Sequence, residues 1–237
     1  VNRTWPWCGI GGDEPPEKGT TVVDLTNLTQ AIEDGDRATA MRLTEMATGE
    51  GTQAATILNA MTTAMEEVGR RFESNEIFIP EMLLSARAMS DSMALLTPLL
   101  VAADVRPEFT AVIGTVQGDL HNIGKNLVAT MWKGANIEVV DLGTNVAPET
   151  FVEAVRRHRA RVLGISALLT TTMMGMRGVV DAIRNSDVAE VKIVIGGAPV
   201  TEAFAKQIGA DGYAPDAPGA VRLARVLVDA GSNPTKT

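Results

Sequence analysis

The chain is poor in the residues from which several classes of protein are built. One cysteine, Cys8, in 237 residues rules out an internal disulfide and suits a reducing compartment. Aromatic residues make up only 4%, against 11 methionines, which fill irregular gaps and favour a helical, adaptable core over a β-sandwich. No apolar run approaches the roughly 18 residues that mark a membrane-crossing helix. Lys and Arg number 21 against 29 Asp and Glu, a net charge of −8, and no basic block is present to neutralise phosphates. Nucleic acid is therefore not an expected partner, and neither is a membrane. Residues 1–19 lack the charged-then-apolar layout of a secretory signal, so the expectation is a soluble, cytoplasmic protein.

What is present has two rhythms after an irregular arm. Residues 1–20 are rich in Gly, Pro and charge, with Trp5 and Trp7 flanking Pro6, and Cys8 has neither His nor a second Cys nearby. From 21 to 104 the apolar spacing is helical. Leu25, Leu28 and Ile32 mark a first helix, and Met41 with Met46 a second, entered at Asp36 and left at Gly49. Leu58, Met61, Met65, Val68 and Phe72 mark a third, with Thr52 as its expected cap. Pro80 suits the first turn of a fourth, which carries Leu83, Ala86, Met89, Met93 and Leu96. Short breaks between them predict a four-helix bundle.

From 105 to 237 short β-rich runs alternate with helical patterns. Strands are expected over 109–116, 137–142, 162–167 and 191–195, with a weaker one over 211–213. Helices are expected over 123–133, 148–159, 172–185, 201–207 and 216–228. Continuous apolar strands separated by helices predict an α/β unit, a parallel sheet covered on both faces. Ligands of such sheets sit beyond the carboxyl ends of the strands.

The loops at those ends carry the chemistry. The first strand runs into Gln117-Gly118-Asp119-Leu120-His121-Asn122-Ile123-Gly124, which lacks the glycine run and Lys-Ser or Lys-Thr pair of a phosphate loop. It offers a carboxylate two residues before an imidazole, and metal-bound histidines usually donate their other ring N–H to a carboxylate. A single loop histidine does not support a zinc site with several protein ligands. By itself, Asp-x-His also reads as a loop histidine capping the next helix. The third strand ends in Ser166-Ala167-Leu168-Leu169-Thr170-Thr171-Thr172, and the fourth in Gly196-Gly197. Taken singly, these hydroxyls could cap a helix and the glycines could turn the chain.

Together the three elements form a pattern. Asp119-x-His121-x-x-Gly124 is followed after residues 125–165 by Ser166-x-Leu168, and after residues 169–195 by Gly196-Gly197. This resembles the cobalamin-binding domain shared by cobalamin-dependent methyltransferases and some mutases. The resemblance implies a Rossmann-like, doubly wound sheet of flavodoxin type with five strands. It implies His121 as the lower axial ligand of cobalt, Asp119 as its hydrogen-bond partner, and Thr172 as the hydroxyl completing that relay. The loop residues Gly118, Leu120, Asn122 and Ile123 would border the cofactor. Ser166, Leu168 and Thr170 would contact the displaced nucleotide tail and its benzimidazole, with Gly196 and Gly197 making room. Gly124 would let the following helix pack beside the slot. Tyr213-Ala214-Pro215-Asp216 resembles the last loop near the nucleotide, although a plain strand-to-helix turn reads equally well for Pro215 and Asp216.

The segments 65–72 and 77–83 resemble the helical cap of methionine synthase and its relatives. That match would put Phe72, Ile79 and Met82 over the upper face, whereas helical spacing alone reads them as bundle core. A bundle and a cobalamin domain with no room for substrate barrels resemble the separate corrinoid proteins of multi-component methyltransferase systems. The implied cofactor is cobalamin or a related corrinoid, cycling between cob(I)alamin and methylcobalamin. The implied partners are a substrate-demethylating methyltransferase, an acceptor methyltransferase loading tetrahydrofolate or a thiol, and a reductive activating protein. Methyl ethers are the expected donors, with methylamines, betaines or methanol as alternatives. A cobalamin-sensing regulator would be expected to carry a DNA-reading helix and basic surface, and a mutase subunit a partner barrel.

Overall fold

The computed structural model describes residues 24–231, so the arm over 1–20 with its Cys8 lies outside the described residues. Four helices come first: α1 (Thr26–Glu33), α2 (Arg37–Gly49), α3 (Ala54–Glu73) and α4 (Ile79–Ala102). Asp36 caps α2 as expected, its side chain accepting from the Thr39 N–H at 3.1 Å. Thr52 does not cap α3, which begins after Gln53. Thr52 instead helps close α2: its N–H donates to Ala47 O at 3.0 Å while Gly51 N–H donates to Thr48 O at 3.1 Å, the paired bonds of a helix C-terminus, and the cap position of α3 falls one residue later. Pro80 occupies the first turn of α4, and Phe78 N–H donates to the Glu81 carboxylate at 3.0 Å.

The bundle core is made by Leu28, Ile32, Ile57, Met61, Met89 and Leu96, all but sealed from solvent. Two expected core residues point outward. Met46 is exposed because α2 buries the small stripe Ala40, Thr44 and Ala47, which lets it pack close to α4. Leu83 is exposed because α4 turns Met82, Ala86 and Met89 inward.

Five parallel strands follow: β1 (Thr110–Thr115), β2 (Glu138–Asp141), β3 (Val162–Ser166), β4 (Lys192–Gly196) and β5 (Gly212–Tyr213). Their order in the sheet is β2-β1-β3-β4-β5, the doubly wound order in which successive strands are added outward on either side of the β1–β3 switch point. Helices α5 (Ile123–Gly134) and α10 (Ala217–Gly231) cover one face, and α6 (Pro148–His158), α8 (Gly175–Arg184) and α9 (Glu202–Ile208) the other. The single helix expected over 172–185 is two, a four-residue α7 (Thr170–Met173) and α8, separated at Met174. Thr172 in α7 donates its hydroxyl to Asp119, and α8 begins at Gly175.

Side chains alternate along the strands, so Val112, Leu163 and Ile165 join the α6–α8–α9 core while Ala111, Ile113, Val162 and Val194 face α5 and α10. That second core runs without a break into the bundle. Met65 of α3 lies where a Cβ on Gly134 would sit 3.3 Å from its Cγ, and Pro218 of α10 stands equally close to Gly69. Arg225 of α10 bridges Glu66 and Glu108 at 2.9 Å each, and Arg222 pairs with Glu73.

Candidate functional site

The loop after β1 crosses the carboxyl edge of the sheet at the point where the strand order reverses. Asn145, from the loop after β2, clamps it from both sides: its Oδ1 accepts from Gly118 N–H at 2.8 Å, and its own N–H donates to Asp119 O at 2.9 Å. Gly118 supplies the positive φ of 83° that the turn requires. At the end of β1, Thr115 donates its hydroxyl to His121 O at 3.0 Å. The loop backbone is thus fixed before any side chain of the site is considered.

Asp119 is fully buried and gathers donors from two loops. One oxygen accepts from the His121 N–H at 3.0 Å and stands 2.7 Å from His121 Nδ1. The other accepts from Leu168 N–H at 2.8 Å and Thr172 Oγ1 at 2.7 Å, with Leu169 N–H at 3.3 Å. Burial by itself would raise this carboxyl's pKa. The bonds from Thr172, from the His121 and Leu168 N–H groups and from the imidazole outweigh it and hold the group well below the usual carboxylate range. An ionised carboxylate only accepts, so the neutral imidazole carries its proton on Nδ1 and its lone pair on Nε2. The His121 side chain is half exposed and lines a cavity of about 730 Å³.

That cavity opens on the α5–α10 face of the sheet. It is carved by small residues facing one side of adjacent strands, Gly164 and Ser166 on β3 and Gly196 on β4, where Ser166 stands in register with Gly196. Gly197 adopts a φ of 131°, and a Cβ there would fall 1.9 Å from Ala167 O, so no side chain fits. On Gly196 a Cβ would meet Ala214 O at 3.0 Å.

The structure brings most of the expected residues to this one cavity. Leu120, His121 and Asn122 line it from the β1 loop, Ile123 and Gly124 from the start of α5, Ser166 and Leu168 from the end of β3 and the loop after it, and Gly196, Gly197, Tyr213 and Ala214 from the ends of the last two strands. Phe72 and Ile79 reach it from the bundle. Asp119 and Thr172 stand behind His121 instead, and Gly118 serves the turn. Thr170 is exposed at the start of α7 and does not border the cavity. Met82 is wholly buried in the bundle, where the spacing of α4 alone would put it. Gly124 needs another explanation than helix packing, because a Cβ there meets no atom within 4 Å; its open side is the cavity.

Among the lining residues that the expected site did not include, Lys125, Trp132 and Gly164 stand out. Lys125 is buried with its Nζ 2.5 and 2.7 Å from the Asp141 oxygens and 2.6 Å from Asn126 Oδ1, tying the start of α5 to the end of β2. Trp132 and Gly164 meet at the inner end. Gly164 did leave a trace, since a glycine inside an apolar strand marks a close approach. The chemistry of this donor set is narrow. Among the described residues no three His, Cys, Asp or Glu side chains gather around a point, so a metal at His121 Nε2 would take one ligand from the protein and the rest from its own macrocycle. The long, mostly apolar slot beside that nitrogen fits the organic remainder of such a group.

Comparison with known proteins gives a family to both halves. Residues 25–97 and residues 109–222 each match a family model described as a B12 binding domain. The chain is 37% identical over 206 residues to a dimethylamine corrinoid protein of Methanosarcina barkeri, covering 86% of this chain and 97% of that one. A solved cobalamin-binding protein from Desulfitobacterium hafniense superposes with a TM-score of 0.74 at 30% identity, covering 87% of this chain and 99% of the other. A methanol:cobalamin methyltransferase complex from Methanosarcina barkeri contains a chain that superposes with a TM-score of 0.79 at 25% identity, over 92% of this chain and 86% of that one.

Proposed function

Because the chain belongs to the family of corrinoid proteins, with both of its B12 binding domains, we propose that it is the methyl-carrying component of a multi-component methyltransferase. The helical unit ends near residue 104 in this reading and the corrinoid unit follows. The observation that carries the proposal is the His121–Asp119–Thr172 array at the mouth of a slot that Phe72 and Ile79 border from above. When bound, the corrinoid supplies a cobalt centre that accepts and releases a methyl group.

The protein's own residues bind, orient and shield. His121 Nε2 would ligate the cobalt of a bound corrinoid, and Asp119 fixes the tautomer this needs by holding the Nδ1 proton. Thr172 and the Leu168 N–H hold Asp119 in turn, so the carboxylate that orients the ring is itself anchored to a second loop. Ser166, Leu168, Gly196, Gly197, Tyr213 and Ala214 would hold the cofactor's nucleotide tail. Phe72 and Ile79 would keep water from a corrinoid bound in that cavity. The chain is half of a catalytic cycle, completed by a methyltransferase that demethylates the substrate and another that loads tetrahydrofolate or a thiol, with a reductive activating protein. The dimethylamine relative supports a methylamine donor over the methyl ethers expected at first, and the complex that includes a structural neighbour supports a methyltransferase partner.

Titration with cobalamin tests this reading. Wild-type protein is expected to show the absorbance of nitrogen-ligated cobalt, and His121→Gly to bind while losing it. Identical spectra would overturn the ligand assignment. Methyl uptake from dimethylamine in the presence of the cognate methyltransferase is the expected activity, and uptake from no methylated substrate would overturn the carrier role.

A further inference from the structure

Trp132 stands on α5 with its side chain wholly buried, and its indole N–H has no hydrogen-bond partner. Buried donors are nearly always paired, so an unpaired one marks a site where a partner is missing. The only other such side-chain atom among the described residues, Ser92 Oγ, lies in the bundle on α4 and does not border the cavity, whereas Trp132 does. The far edge of the indole packs on Gly164, where a Cβ would fall 2.8 Å from Cη2 and 3.2 Å from Cζ3. Gly164 lies two residues before Ser166 at the mouth, on the same face of β3, which is about 7 Å further in. Beside the apolar walls Ile113 and Val194, the slot therefore has among its lining residues a tryptophan whose indole N–H is unpaired.

We propose that Trp132 determines which lower base the corrinoid carries. The residue selects a base that presents a hydrogen-bond acceptor at its buried edge over one that ends there in hydrocarbon. The proposal rests on the reading above that the nucleotide tail enters this slot. A base ending in methyl groups, as 5,6-dimethylbenzimidazole does, leaves the indole N–H unpaired. A hydroxybenzimidazole brings an oxygen to that edge and a purine a ring nitrogen, and either gives the N–H a partner. A site holding a fixed donor discriminates against the analogue that cannot use it more strongly than an apolar pocket discriminates by size.

The test uses the full chain freed of corrinoid and titrated with corrinoids identical except in the base: dimethylbenzimidazole, hydroxybenzimidazole or adenine, with cobinamide lacking the base as a control. Affinity is read from the corrin absorbance. Wild-type protein is expected to bind the acceptor-bearing forms about tenfold more tightly than the dimethyl form, and Trp132→Phe to narrow that ratio to about twofold or less. A second reading needs no variant at position 132. In a Trp5→Phe/Trp7→Phe background the one remaining indole N–H resonance should move downfield with the acceptor-bearing forms and stay in place with the dimethyl form. A wild-type preference for the dimethyl form, an unchanged ratio in Trp132→Phe, or an indole resonance indifferent to the base would each overturn the proposal. Cobinamide binding as tightly as every complete corrinoid would overturn instead the premise that the tail occupies the slot.

Discussion

Replacing Asp119 by Asn exchanges one carboxylate oxygen for an NH2 group at almost constant volume. Each oxygen now accepts from a backbone N–H and from a side chain, His121 on one side and Leu168 with Thr172 on the other. Whichever way the amide turns, its NH2 faces one of those backbone N–H groups and leaves it buried and unpaired. Each such loss costs about 1–3 kcal/mol, and the surviving bonds lose their charge assistance, so a destabilisation of about 2–4 kcal/mol is expected. The orientation has a second consequence. With the NH2 toward the imidazole, Nδ1 must accept, the proton moves to Nε2, and the ring no longer has a lone pair to offer a metal. Urea denaturation of the corrinoid-free chain measures the first effect and cobalamin absorbance the second. A variant with the wild-type urea midpoint and the wild-type spectrum would refute the assignment of Asp119 as the group that orients His121.

Other perturbations separate the remaining contributions. Acidification tests the same carboxylate: its pKa is depressed on folding, so its stabilisation is present above the ordinary Asp value of about 4 and drains away as pH falls below it. Wild-type stability should therefore fall more steeply than that of Asp119→Asn in this acid range, as followed by circular dichroism. Gly197→Ala places a Cβ 1.9 Å from Ala167 O in a backbone conformation hostile to side chains, and should cost more than about 3 kcal/mol or abolish soluble expression. Asp141→Ala strands the Lys125 ammonium, whose side chain is 1% exposed, and is expected to cost about 3–5 kcal/mol in a melting experiment. Lys125→Met leaves behind a carboxylate that water reaches and should cost less than Asp141→Ala.

The parts of the site that were legible in the sequence are those where chemistry restricts residue type at a strand end. Asp119, His121, Ser166 and the Gly196-Gly197 pair sit at or just beyond the carboxyl ends of strands, where such a sheet meets its ligand. Periodicity was a weaker guide wherever a helix has two faces to hide. It marks Met82 and Phe72 alike as apolar helix positions, but only the fold decides that Met82 turns into the bundle and Phe72 toward the cavity. Thr52 has the chemistry of a cap, but it belongs to the turn that closes α2, and the cap position of α3 falls on Gln53. Lys125 with Asp141, and Trp132 with Gly164, are pairs formed across the β1–α5–β2–α6–β3 crossovers, and neither partner alone carries a sign of the other.

The two adjacent glycines at the end of β4 differ in what they tell a reader of other sequences. At Gly196 a methyl group would sit 3.0 Å from a carbonyl oxygen, a distance that a small shift of the last loop could absorb. At Gly197 the gap is 1.9 Å against the backbone of a neighbouring strand's loop, and nothing there is a flexible side-chain end that could swing away. A related chain with alanine at the first position can keep this slot, whereas one with any side chain at the second must route its β3 loop differently. The second glycine is therefore the sharper marker of which homologues keep this pocket shape, and it should weigh more than its neighbour when a divergent sequence is being assigned.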